Sequence, residues 1–288
     1  IMKKVKILTF SCPDQSGIQA KVTGLMDKYN AFLTDVQSYS DKDTNRFFSR
    51  IVFFIDDIEI TTDEFFSEFR SLAIKLSMQW SIDDESKKIK TVIAVSKEGH
   101  CLNDLLYRAK YRDMPIEIVG VVSNHEVYRE IVEFSGIKFH HLPIEKNSES
   151  KKIQENEFKS IVASSGAELV VLARYMQILS DNLANEWSGK CINIHHSFLP
   201  SFKGARPYHQ AFHKGVKIIG ATAHYVTGDL DEGHIIEQDV QRVSHNDSPE
   251  DLTRKGNDIE SSVLSRAVRW HAEKRVLING SKTVVFNN

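Results

Sequence analysis

The sequence predicts an α/β protein with two domains: a ferredoxin-like βαββαβ domain over 3–84 and a Rossmann-like, mostly parallel α/β domain over 89–288. Three observations support this class. A length of 288 residues suits two domains better than one. Strand and helix spacing of apolar residues alternate in the order βαββαβ before residue 85, and from residue 89 strands alternate regularly with helices. The polar stretch at 85–88 is the predicted linker.

The first domain can be followed element by element. A strand at 4–10 precedes an amphipathic helix whose apolar stripe includes Ile18, Val22 and Met26. Extended segments at 32–39 and 47–55 flank a polar turn and predict a hairpin. A Phe-rich helix that Thr62 could cap, and a strand at 80–82, complete the split βαβ order.

The second domain shows the pattern of a parallel sheet. Helices are predicted near 102–111, 126–134, 153–163 and 249–273, and Asn279-Gly280 indicates a final hairpin. The predicted strands are 89–95, 116–122, 137–141, 169–173, 192–194, 218–226 and 234–240. Open sheets of this kind bind ligands at the carboxyl ends of their strands.

Composition narrows the functional classes. Lys and Arg total 37 against 39 for Asp and Glu, so a net charge of -2 gives no electrostatic reason to bind nucleic acid or an anionic membrane. The three cysteines are odd in number and far apart, which argues against a disulfide framework or a cysteine zinc site. No run approaches the ~18 apolar residues of a membrane helix. We therefore expect a cytoplasmic protein.

Seven of the twelve histidines lie between His195 and His245. His209 and His213 are four residues apart on a predicted helix, but no Glu follows His209 as the zinc-protease pattern requires. We expect no metal site.

Asn193 and His195 alternate on a short predicted strand, so their side chains should point to the same side. Two donors that converge in this way can stabilise an oxyanion, and the histidine can also move a proton. Asp231 follows in a turn-rich loop that could return to the same end of the sheet and orient the histidine or a water. A polar strand end and an acidic surface turn remain the simpler interpretation of the spacing alone.

Other catalytic patterns are missing from the sequence. No G-x-S-x-G elbow surrounds Ser197 or another serine, which argues against a hydrolase triad. Neither G-x-G-x-x-G nor G-x-x-x-x-G-K-[ST] occurs, so dinucleotide or triphosphate binding is unsupported.

Once these three residues are placed in their contexts, the second domain resembles the folate-dependent formyl transfer enzymes. Asn193 and His195 lie in the segment INIHHSFLP at 192–200, and Asp231 lies in DLDEG at 229–233. The longer match, through FKGARPYHQA at 202–211 and GATAHYV at 220–226, is similar to the formyltetrahydrofolate deformylases as a family. The resemblance implies hydrolysis of 10-formyltetrahydrofolate to tetrahydrofolate and formate, which would balance the one-carbon folate pool and supply formate for purine synthesis.

The same resemblance implies roles for individual residues. Asn193 and protonated His195 would stabilise the oxyanion, and Asp231 would orient or activate water. 10-Formyltetrahydrofolate would be the substrate, with no permanently bound cofactor. Its expected contacts are Met176, Gln177, Ile178, Leu179, His224, Val226 and Gly228.

The first domain independently resembles the ACT domains, with CPDQSGI at 12–18 as the opening loop and helix. This resemblance implies an amino-acid effector, glycine or methionine, near Asp14, Gly17 and Ile18, or else a purely structural dimerisation unit. ACT domains often pair, so a homo-oligomer, dimer or tetramer, is expected.

Two alternatives remain open. The first is a formyltransferase that acts on an amine such as glycinamide ribonucleotide with the same three residues. The segment KEGHC at 97–101 differs from the glycine-rich phosphate loop of those enzymes and favours water as acceptor. The second is a folate-binding or amino-acid-sensing regulator without catalysis, which the presence of all three residues does not support.

Overall fold

A computed structural model describes residues 4–55, 59–145, 148–199 and 207–287 of the chain. It divides into two compact units. The first comprises Ile1–Lys87 together with Glu273–Asn288, and the second comprises Lys88–Ala272.

The first unit begins with the predicted βαββαβ order, which is confirmed. Its elements are β1 (Lys6–Pro13), α1 (Ile18–Lys28), β2 (Ala31–Asp41), β3 (Arg46–Ile55), α2 (Glu59–Lys75) and β4 (Gln79–Asp84). The strands form one antiparallel sheet in the order β2-β3-β1-β4. The predicted cap Thr62 lies inside α2, and its side chain is outside the described atoms.

The core of the first unit joins alternate strand residues to the helix stripe. Leu8 and Phe10 on β1 lie in one cluster with Val22 and Met26 on α1. Phe65 from α2 is in the same cluster, and its ring centroid lies 5.7 Å from that of Phe53. The side-chain period of 2 on the strands and the stripe on the helix therefore meet, as the sequence predicts.

The second unit contains a larger sheet. Its elements are β5 (Ile89–Val95), α3 (His100–Tyr111), β6 (Ile116–Ser123), α4 (Arg129–Phe134), β7 (Phe139–His141), α5 (Ser148–Ser164), β8 (Leu169–Leu172), α6 (Asp181–Glu186), β9 (Cys191–His195), α7 (Pro207–Lys214), β10 (Ile218–Tyr225), β11 (Ile235–Arg242) and α8 (Pro249–Ala272). The seven strands follow the order β11-β10-β9-β8-β5-β6-β7. The pairs from β9 to β7 are parallel, whereas β10 and β11 are antiparallel. The mostly parallel α/β sheet is thus confirmed.

The sheet order places a switch point between β5 and β8. From β5 the chain proceeds outward through β6 to β7, and it then returns to the other side of β5 as β8. Loops that leave such neighbouring strands in opposite directions open a crevice at the carboxyl ends, where ligands bind in this class of sheet. Helix α6, which the sequence analysis did not predict, begins after Ser180, whose hydroxyl accepts a hydrogen bond from the Leu183 backbone N–H at 3.4 Å.

The C-terminal hairpin corrects one predicted boundary. The sequence assigned 89–288 to the second domain, but β12 (Val276–Asn279) and β13 (Lys282–Val285) group with the first unit. The reason is polar pairing: the Asn279 amide donates to Asp41 at 2.5 Å, and Lys282 Nζ lies 3.2 Å from the same carboxylate. The hairpin itself is confirmed, with Gly280 at a φ of 60° in its turn.

Within the described ranges, every helix is too short or too polar to cross a bilayer.

Candidate active site

The candidate site is a cavity of about 700 Å³ in the second unit. Residues from the loops after β8 and β10 line it, together with residues of β9 itself. Asn193, His195 and Asp231, predicted from the sequence to act together, all line this cavity. So do all seven predicted folate contacts.

Asn193 and His195 reach the cavity because they alternate on β9. The antiparallel neighbour β10 places His224 opposite Asn193 and Thr222 opposite His195. In this register the Asn193 amide nitrogen Nδ2 lies 3.3 Å from His224 Nε2. Strand pairing therefore decides which histidine contacts the amide.

His224 has a defined tautomer. Its Nδ1 lies 2.9 Å from the Tyr225 carbonyl oxygen, which can only accept, so Nδ1 carries the proton. Nε2 then accepts from Asn193, and among the residues that the structure describes the second N–H of that amide has no acceptor. Burial lowers the pKa of His224, which keeps this 2%-exposed ring neutral. A neutral, oriented His224 thus fixes the direction of the Asn193 amide.

Asp231 pairs with His195. The carboxylate Oδ1 lies 3.2 Å from His195 Nδ1. The hydrogen bond from His195 holds the pKa of Asp231 below its usual range although partial burial acts in the opposite direction. Asp231 is therefore ionised near neutral pH, and within the described residues its second oxygen has no donor.

The loop that carries Asp231 has a constrained backbone. Asp231 itself has a φ of 58°, in the left-handed region that Asp and Asn adopt more readily than other residues with a Cβ. Gly233 is required by close packing, since a Cβ there would lie 1.6 Å from the Tyr225 carbonyl oxygen. The Tyr225 N–H also donates to the His234 carbonyl at 2.9 Å. These contacts turn the chain back so that Asp231 faces His195.

The predicted folate residues form a second part of the cavity lining. Met176 and Ile178 are each 58% exposed, so they are available to a ligand, whereas Leu179 is buried. Ser96, at the end of β5, anchors this loop: its hydroxyl accepts from the Met176 N–H at 3.0 Å and donates to Asn124 Oδ1 at 2.7 Å. No sequence motif predicts this role of Ser96, since the adjacent segment at 97–101 is comparable only with a phosphate-binding loop.

A buried polar network near the cavity was also missed. Glu260 on α8 is fully buried, and its carboxylate accepts from the Tyr208 hydroxyl at 2.5 Å and contacts His100 Nε2 at 2.7 Å. Arg174 Nε lies 3.3 Å from Glu260 Oε2. Gly256 makes room for the Tyr208 ring, because a Cβ there would lie 2.1 Å from it. No sequence motif signals these contacts, since their members come from four separate segments.

Metal binding by this network is disfavoured by its chemistry. His100, Cys101 and Glu260 offer ligand atoms within 4.8 Å of one another. Burial raises the pKa of the Cys101 thiol far above its usual range, so a metal bound there would have to overcome the cost of forming a buried thiolate. The carboxylate is already engaged by a hydroxyl, an imidazole and a guanidinium.

The predicted effector residues lie in the first unit. Gly17 has a φ of 80° and precedes α1, and Asp14 accepts a hydrogen bond from the Ser40 hydroxyl. Ile18 is 2% exposed and belongs to the core, so its side chain is not available to a ligand.

Comparisons with known proteins agree with this geometry. The Formyl transferase family model matches residues 89–268. A curated formyltetrahydrofolate deformylase from Corynebacterium sp. strain P-1 is 50% identical over 280 residues, covering 97% of each chain. The crystal structure of a formyltetrahydrofolate deformylase from Burkholderia mallei is 46% identical with a TM-score of 0.92, covering 98% of this chain and 99% of its own.

A solved glycinamide ribonucleotide transformylase 1 from Symbiobacterium toebii is more distant. It is 27% identical with a TM-score of 0.65, and it covers 70% of this chain and 96% of its own. The near-complete matches are therefore to deformylases, and this chain belongs to the formyltetrahydrofolate deformylase family.

Proposed function

We propose that this protein hydrolyses 10-formyltetrahydrofolate to tetrahydrofolate and formate. The observation that carries the proposal is the convergence of Asn193, His195 and an ionised Asp231 in one cavity of about 700 Å³. That volume lies in the range of small-molecule sites, roughly 300–1,000 Å³. The folate enters as substrate, and the proposal requires no resident cofactor.

In the proposed reaction, the folate lies against a wall formed by Met176, Gln177, Ile178, Leu179, Val226 and Gly228, which we call the folate wall. This wall places the formyl carbon beside Asn193 and His195. The exposed Met176 and Ile178 side chains supply apolar contact. Backbone groups of the two loops supply hydrogen bonds to the pterin.

Asp231 then orients and activates water. As a carboxylate that keeps one oxygen free, it accepts a proton of the water whose oxygen attacks the formyl carbon. The developing oxyanion receives hydrogen bonds from the free N–H of Asn193 and from protonated His195. Collapse breaks the bond to N10, which takes a proton, and formate leaves with the other proton of water released to solvent.

The decisive experiment is an incubation of the purified protein with 10-formyltetrahydrofolate and no amine acceptor. We expect stoichiometric formate and tetrahydrofolate, and loss of both in the Asp231→Asn variant. Tight folate binding without release would exclude the hydrolase and favour the amine transferase. Full activity in Asp231→Asn would exclude the assigned role of the carboxylate.

We further propose that the first unit is an ACT domain with an amino-acid effector, glycine or methionine, at Asp14, Gly17 and Ile18. The βαββαβ order and the left-handed Gly17 before α1 support this interpretation. A homo-oligomer, dimer or tetramer, and a cytoplasmic location complete the proposal; the three buried free cysteines fit a reducing compartment. Deformylase rates with and without each amino acid, and sedimentation of the full chain, test these points.

A further inference from the structure

One part of the cavity lining belongs neither to the catalytic residues nor to the folate wall. It consists of Arg174, His196, Tyr208, His209, Thr253 and Asn257, which we call the acceptor wall. It adjoins the catalytic centre, since the ring centroids of His195 and His196 are 4.9 Å apart. If the folate occupies the folate wall, the nucleophile must approach from the remaining space next to His195.

Arg174 is held in this wall by an unusual backbone conformation. Its φ is 63°, a region that residues with a Cβ rarely adopt. Two hydrogen bonds with Ser96 hold this turn. The Ser96 N–H donates to the Arg174 carbonyl at 3.2 Å, and the Ser96 hydroxyl accepts from the Met176 N–H. Strain that the surroundings maintain in this way is concentrated at functional sites.

The Arg174 side chain is only partly neutralised. It is 13% exposed, and within the described residues its buried Nε makes no hydrogen bond of normal geometry, although it lies 3.3 Å from Glu260. Glu260 in turn is shared with the Tyr208 hydroxyl and His100. The acceptor wall therefore presents the positive charge of Arg174 to the cavity. The Glu260 carboxylate behind it already accepts hydrogen bonds from its own partners.

We propose that Arg174 determines the acceptor specificity of the site, excluding amines from the acceptor wall so that the formyl group passes to water. A primary amine approaches largely as its ammonium ion, which a fixed guanidinium repels. Glu260 is fully buried and is not among the residues that line the cavity, so an ammonium ion in the cavity meets the guanidinium before this carboxylate. Water is neutral, small, and able to donate or accept, so the same wall admits it.

This inference rests on the proposed hydrolysis and concerns only which nucleophile completes it. With water, the formyl carbon gains an oxygen and leaves as formate while N10 takes a proton. With an amine, the formyl carbon gains the amine nitrogen, one amine proton goes to N10, and the product is a formylated amine. The two outcomes consume the same folate and are told apart by their products.

The test is the partition of formyl groups between water and glycinamide, a small primary amine, in Arg174→Gly. Glycine adopts a φ of 63° without strain, so this variant removes the cation while it suits the backbone. We expect the ratio of N-formylglycinamide to formate to rise by about tenfold or more over the wild type. Arg174→Asn, neutral and tolerant of the left-handed region, should shift the ratio in the same direction, and Arg174→Lys should keep water as acceptor.

Lys274→Gly is the matched control, because Lys274 also has a positive φ, of 57°, but lies in the first unit. Its product ratio should equal that of the wild type. An unchanged ratio in Arg174→Gly and Arg174→Asn, with folate still consumed, would overturn the inference and leave the hydrolase assignment intact. Loss of fold in both variants would also overturn it, since Arg174 would then serve only as the counter-ion of Glu260. Absence of folate consumption in the wild type would instead refute the proposed function.

Discussion

Two aspartates, one in each unit, show how similar electrostatics can serve different purposes. Asp41 in the first unit and Asp231 in the second both have a pKa below the usual carboxyl range. Asp41 is 2% exposed and receives donors from Asn279, Thr44, Lys282 and the Asp43 backbone N–H. Asp231 has a partner within hydrogen-bond distance in His195, and it faces the cavity.

The two aspartates differ in whether both oxygens of the carboxylate have partners. Donors reach both oxygens of the Asp41 carboxylate, so this residue stabilises the β2–β3 turn and the C-terminal hairpin. In the described part of the chain, Asp231 has contacts at Oδ1 alone, and its carboxylate lies beside a space large enough for substrate. A lowered carboxyl pKa therefore does not identify a catalytic group; a lowered pKa combined with an open coordination position and a cavity does.

The largest expected effect is the difference in kcat between the matched variants Asp231→Asn and Asp41→Asn. Asp231→Asn should reduce kcat by about 10³-fold, because the amide cannot take a proton from water. Asp41→Asn should change kcat by no more than about twofold, since it acts on folding alone. Rates of formate release and thermal unfolding of both variants check this, and comparable kcat losses in the two would erase the distinction.

A smaller effect should follow from loss of the oxyanion donor. Asn193→Ala removes the N–H whose direction His224 fixes, and kcat should fall by about 10²-fold with little change in KM. Asn246→Ala, an exposed amide of the same unit, is the control and should be silent. A large rise in KM with unchanged kcat would show that Asn193 binds the ground state and would move the oxyanion role elsewhere.

The sequence alone accounts for much of the fold because the determining patterns are local. The stripe of Ile18, Val22 and Met26 predicts a helix with one buried face, and that face lies in the core. Alternation of Asn193 and His195 predicts that both side chains reach one place, and both line the cavity. Periods of 3.6 and 2 residues are readable without tertiary information.

Contacts between segments that are distant in the sequence cannot be predicted from these local periods. Nothing near Arg174 indicates a left-handed backbone, since arginine has no preference for it, and the conformation depends on Ser96, which is distant in sequence. Glu260 looks like one more polar residue of an amphipathic helix until α3 and α7 bring His100 and Tyr208 to it. The placement of 273–288 failed for the same reason, because Asn279 and Lys282 find their partner Asp41 only after folding.

A third prediction asks whether a side chain that holds the backbone of a loop is needed where that loop faces the substrate. Ser96→Ala leaves the Met176 N–H without its acceptor, a loss of about 1 kcal/mol or roughly fivefold in an equilibrium. We expect KM for the folate to rise by about fivefold with kcat within about twofold. Ser164→Ala on the exposed side of α5 is the control, and equal KM values in the two variants would contradict an anchoring role.

The smallest effect concerns acid stability and has no counterpart in catalysis. The pKa of Asp41 is lowered to about 2 in the folded protein, chiefly by the donors of Asn279, Asp43, Lys282 and Thr44, which together outweigh its burial. An unfolded aspartate titrates near ~3.9, so the carboxylate contributes stability that is complete above about pH 4 and is lost as the pH falls to about 2. The difference in urea midpoint between wild type and Asp41→Asn should therefore be largest near neutrality and shrink through this window.

Asp43→Asn supplies the control for that titration, because Asp43 is 86% exposed and its substitution should give a small, flat difference. If the Asp41→Asn difference also stayed flat with pH, the carboxylate would act through shape and not through its charge. The first unit would then hold its C-terminal hairpin by packing alone. In that case the two aspartates would differ in kind, and not merely in how many donors each one receives.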